Sequence, residues 1–188
     1  MSKSERNFIE AAMEAGEAGI DLLTDNEAVK AVPVVGLAFK LLKGLDDLRS
    51  RILMAKLKKF ITEPNLVRSL EANRVRAQLD RDKDRELIGE VLFLTLDKVT
   101  DLRKPELLGR VFSGYLDEII GSETLLLLAH AIDSAFVGDL EFFLGHSEEH
   151  VRKGNPAAFR LLSAGLVEYS DFRDTPLGKA LRTVAGTR

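Results

Sequence analysis

Apolar residues recur at three- and four-residue spacing along nearly the whole chain, and alternating β-branched runs are almost absent before residue 165. That pattern predicts a mostly helical fold. A first helix is expected from Ser2, with Glu5 completing a capping box, to about Leu23; Phe8, Ala12, Ala15, Gly19 and Leu22 share one face. A second element begins near Ala31, where Pro33 suits a first helical turn, and runs until Glu63 and Pro64 stop it, with Gly36 and Gly44 as kink points. Val67 and Leu70 mark a third, shorter helix that ends in the charged run Asp80 to Glu86, read as a solvated turn or helix start rather than a binding tail.

The next helix, Leu87 to about Val99, is apolar at Leu87, Ile88, Val91, Leu92, Thr95 and Val99. Pro105 opens another through Leu107, Leu108, Val111, Phe112, Tyr115, Leu116 and Ile119, with Gly121 as its expected terminating glycine. Ser122 caps a helix from Glu123 to about Phe136 that is apolar nearly all round at Leu125 to Ala129, so it is expected to be central. A short helix follows around Asp139 to Leu144. Beyond it the pattern changes: Asn155 and Pro156 start a helix over Ala157 to Ala164, Gly165 stops it, and Leu166 to Tyr169 reads as a strand. A turn at Ser170 to Asp174 doubles back, and Thr175 with Pro176 caps a last helix. Two packing units are expected, residues 1 to 121 and 122 to 188.

Charge by segment adds what the helix pattern alone does not. The 188 residues have a formal net charge of −3, which argues against a general affinity for nucleic acid. Residues 1 to 30 carry 3 basic and 7 acidic side chains, and residues 31 to 62 carry 7 basic and 2 acidic, so the basic charge sits on one element. On a helical wheel that element places Val34, Ala38, Leu41, Leu45, Leu48 and Ile52 on one face and Lys40, Lys43, Asp47 and Arg51 on the other. Such a basic amphipathic helix can lie on an anionic membrane surface or mediate self-association. It can equally be a core helix with a basic solvated side, covered by the acidic first helix. The candidate contact residues are Val34, Val35, Leu37, Leu41, Leu45, Lys40 and Lys43.

No secretory signal is read in the acidic, small-residue-rich start, and the longest charge-free stretches, Ala31 to Phe39 and Thr124 to Ile132, fall far short of the roughly 20 residues of a spanning helix. A cytoplasmic protein, peripheral at most at the inner membrane, is expected. The absence of cysteine removes disulfides, thiol catalysis and Cys-ligated metal sites. His146 to His150, HSEEH, matches the H-x-x-E-H pattern of inverted zinc metalloproteases, yet Glu168 is the one glutamate after it to serve as a third ligand. It is read as a polar connection, with no metal expected, and His130 as a hydrogen-bonded core residue. No phosphate-binding loop, dinucleotide fingerprint or nucleophile elbow occurs. The carboxylate pairs Asp46–Asp47, Asp117–Glu118 and Glu148–Glu149 are sequential neighbours that diverge on a helix. No enzyme activity and no cofactor are expected.

The stretch from Ala157 to Ala164, through Gly165, Leu166 to Tyr169, and Thr175 with Gly178, resembles the closing half of a winged-helix domain. The resemblance implies an α+β C-terminal unit and offers Arg160 as its nucleic-acid candidate, though Glu168, Asp171 and Asp174 make DNA an unfavoured partner. Together with the Val32 to Lys59 and Glu106 to Leu116 segments, it also resembles small bacterial abortive-infection proteins of the alpha type. That resemblance implies a role in defence against bacteriophage, by membrane contact or through an oligomer or protein partner. The alternatives left open are a winged-helix regulatory protein and an oligomeric adaptor.

Overall fold

A computed structural model describes residues 27–42, 48–72, 78, 83–152 and 156–186. Its described part is mostly helical, with eleven helices and no strand. They are α1 (Glu27–Lys30), α2 (Pro33–Leu42), α3 (Leu48–Ile61), α4 (Pro64–Glu71), α5 (Arg85–Lys98), α6 (Lys104–Leu116), α7 (Ser122–Ser134), α8 (Val137–Gly145), α9 (Glu148–Arg152), α10 (Pro156–Ser163) and α11 (Pro176–Ala185). The helix expected from Ser2 lies outside the described residues.

All five prolines stand at the first or second position of a helix, where the missing N–H has no partner to lose and the fixed φ suits the first turn. Glu63 does more than end α3. Its buried carboxylate accepts from the backbone N–H of Asn65 and Leu66, capping α4, and pairs with Arg110 of α6 at 3.4 Å. Thr175 caps α11 as expected: its hydroxyl accepts from Gly178 N at 3.0 Å and donates to Gly165 O at 2.7 Å.

The central element is α6, not α7. Helices α3, α4, α7 and α11 all pack on α6, whose Leu108, Val111, Phe112, Tyr115 and Leu116 are buried. On α7, by contrast, Leu127 is 51% exposed and His130 is on the surface, so neither the all-round burial nor the core histidine is found. An apolar run four leucines long covers every side of a helix, but only the sides that meet neighbours are buried. The end of α6 also departs from expectation. Glu118 adopts the left-handed turn conformation (φ 58°), with Ile119 N bonded back to Gly114 O, while Gly121 is the N-cap of α7.

The winged-helix sheet is absent among the described residues. Leu166 to Tyr169 makes one isolated bridge, Val167 with Asp174, closed by Glu168 N to Arg173 O at 2.8 Å and Phe172 N to Glu168 O at 3.0 Å. Thr175 N bonds Leu166 O immediately afterwards, so the chain enters α11 before a second ladder pair can form. This segment is a tight loop, and the α+β expectation is corrected to all-helical.

Candidate functional site

The basic amphipathic element is divided into α2 and α3, with Lys43 and Leu45 outside the described residues. Its expected single apolar face is not what the fold buries. Val34 and Val35 are fully buried and Ala38 nearly so, whereas Leu41 is 52% and Leu48 48% exposed. The cause is α5. That helix packs along α2, and Gly89 lets it come close: a Cβ there would lie 2.8 Å from the Cβ of Pro33.

The basic charge is likewise largely committed to neighbouring helices. Arg49 pairs with Asp97, Lys59 with Glu106 at 2.7 Å, and the buried Lys56 ammonium donates to Asp97 O at 2.8 Å, at the C-terminal end of α5. Burial pushes the Lys56 ammonium below the usual lysine range, against the raising effect of Asp97. Lys104 has the same role at the end of α7, donating to Asp133 O at 2.8 Å, and burial pushes it down too. These lysines tie down helix ends rather than face a surface ligand.

What remains is a groove of about 710 Å³ between α2 and α5. Leu37 and Leu41 form its α2 wall, and Phe93 and Leu94 its α5 wall; a Cβ at Gly36 would meet nothing within 4 Å, so this part of the groove is open. Lys30 and Lys40 edge it on the α1–α2 side, Glu86 and Glu90 on the α5 side, with Arg85 where α5 begins. Of the candidate contact residues, the structure therefore brings Leu37, Lys40 and Leu41 to one site and places Val34 and Val35 in the core. Sequence reasoning missed the α5 wall, although Phe93 and Leu94 are apolar residues off the helix's expected buried face, a signal that was there to read.

Arg160 is spent elsewhere. Its guanidinium makes a two-pronged pair with the buried Asp139 carboxylate, at 2.6 and 2.7 Å, and lies over the Phe136 ring. Donating to Asp139 raises its affinity for its proton. Its charge is committed within the fold, which argues against phosphate recognition. The two histidines of HSEEH are exposed and their rings stack, with centroids 4.6 Å apart. No group of three or more metal-ligating side chains occurs among the described residues, and no described helix is long and apolar enough to cross a membrane. No protein-family model, no curated protein and no solved structure matches this chain.

Proposed function

We propose that this is a non-enzymatic helical protein that acts by self-association through the α2–α5 groove. The observation that supports this reading is the exposed leucine pair, Leu41 (52%) and Leu94 (46%), flanking an open groove with a lysine edge and a glutamate edge. A two-fold contact places the same patch on both copies, so Lys40 of one, beside a Lys30 already paired with Glu27 at 2.6 Å, would meet the Glu86 and Glu90 edge of the other. The leucines would supply the apolar centre of the contact. Insertion into a bilayer is the weaker reading, because Val34, Val35 and Ala38 are already buried and three cations of the segment are paired with α5 and α6. In the bacterial defence setting that the abortive-infection resemblance implies, assembly would be the step that activates or scaffolds a response.

Light scattering after size exclusion tests the reading on the full chain. A dimer or larger species that Leu41→Glu with Leu94→Glu returns to monomer, with unchanged circular dichroism, is the expected result. A monomer at all micromolar concentrations overturns it. If the same substitutions instead abolish co-sedimentation with anionic vesicles, the groove is a lipid-contact surface and self-association fails as its role.

A further inference from the structure

We propose that His146 and His150 form a two-imidazole site for a late first-row divalent cation such as Zn²⁺ or Cu²⁺. The two rings are brought together by a turn, not by one continuous helix. His146 follows α8 directly, and Ser147 O accepts from the backbone N–H of His150 at 3.0 Å and of Val151 at 3.1 Å, starting α9. Val151 is fully buried and anchors that turn to the core. The result is two exposed imidazoles with centroids 4.6 Å apart and planes 24° from parallel, with Phe142 beside both, at 4.5 Å from His146 and 5.9 Å from His150.

The donor atoms are set by hydrogen bonding. The Nδ1 of His146 lies 2.9 Å from the Phe142 carbonyl oxygen, and a carbonyl only accepts. Nδ1 therefore carries the proton, and the lone pair is on Nε2, the outer nitrogen. The backbone of His146 is held as well: Arg182 of α11 donates to its carbonyl oxygen and rests over the Phe143 ring at 4.0 Å. That guanidinium also pairs with Asp174, so its charge is offset near the site. Two imidazoles on a tetrahedral zinc hold their nitrogens roughly 3.3 Å apart, and these ring centroids lie 4.6 Å apart with His146 already held through Nδ1. Imidazole donors suit nickel, copper and zinc and do not suit magnesium or calcium. With no third protein ligand among the described residues, water or a ligand from another molecule completes the coordination.

The chain has three histidines, so its imidazole C–H signals in an NMR spectrum number three sets, and His130 is a built-in reference. On titration with ZnCl₂, the His146 and His150 signals are expected to move together and saturate at one ion per chain, with His130 unmoved and MgCl₂ without effect. Either His146→Asn or His150→Asn should weaken binding by about tenfold or more. Both positions are exposed, and an unshifted His130 signal in each variant reports an intact fold. Shifts confined to one histidine, or binding by either variant as strong as that of the unaltered chain, overturn the site.

Discussion

The α2–α5 pair and the C-terminal turn into α11 both rest on a glycine at a close crossing, yet one is left open and the other is locked. At the C-terminal turn a Cβ on Gly178 would collide with the Leu166 carbonyl oxygen and lie 3.1 Å from Phe143 Cζ, and several polar bonds hold the turn. Thr175 bonds both Gly165 O and Gly178 N, and Arg182 pairs with buried Asp174 and reaches His146 O. At α2–α5 a Cβ on the glycine would meet the Pro33 ring first, at 2.8 Å, with the Pro33 carbonyl oxygen farther off at 3.4 Å, and leucines are left facing solvent. The difference separates a contact that fixes the chain's path from one whose neighbouring leucines stay exposed among the described residues.

The largest expected effect breaks the locked side. Gly178→Ala puts a methyl group against a backbone carbonyl that is itself fixed by Thr175 N to Leu166 O, so neither partner can give. A loss of about 3 kcal/mol is expected from overpacking, measured as the shift in urea midpoint at constant slope. The same change on the open side costs less. Gly89→Ala meets Pro33 Cβ at 2.8 Å and its backbone carbon at 3.2 Å, but it also gains helix propensity, and the net loss should be about 1 to 2 kcal/mol. A loss as large as that of Gly178→Ala would mean that α2 is as firmly fixed as α11, and the contrast would fail.

Across the groove the sign reverses. Gly36 lies in α2 with nothing within 4 Å of a built Cβ, so Gly36→Ala should add about 0.5 to 1 kcal/mol of stability through backbone entropy alone. Two alanines on facing helices of one groove would then act in opposite directions. Should Gly36→Ala destabilise, the open space is not there in solution.

Much of this architecture was legible because it is written in local rules. Pro33, Pro105, Pro156 and Pro176 read directly as helix starts, and Thr175 followed by Pro176 as a cap, since each needs only its immediate neighbours; Pro64, read as a stop, opens α4 as well. What the sequence could not yield depends on distant partners. Which side of α2 is buried was decided by Pro33 meeting Gly89, residues 56 positions apart, and the lysines at the ends of α5 and α7 were decided by carbonyls at Asp97 and Asp133. The left-handed Glu118 was missed for a different reason: a glycine three residues on offered the conventional stop, and the chain turned before reaching it. The site divides in the same way. Leu37, Lys40 and Leu41 were readable as contact residues of a basic helix, although Leu41 and Lys40 were read on opposite faces, and the facing wall needed the knowledge that α5 lies alongside.

The smallest effect on stability sharpens the comparison most. Leu94 is 46% exposed and Leu41 52%, so each already leaves much of its side chain in water when the chain folds, and replacing either by glutamate removes little burial. The glutamates keep good helix propensity, and at position 41 the new carboxylate lies one residue from Lys40. Each single substitution should therefore change stability by no more than about 0.5 kcal/mol, as surface changes do. Leucines that matter this little to the fold, yet whose replacement disperses an assembled species, would be leucines whose burial occurs in the assembly and not in the monomer. If Leu94→Glu instead cost about 2 kcal/mol or more in the isolated chain, its side chain would be core, and the groove would have no claim as a contact surface.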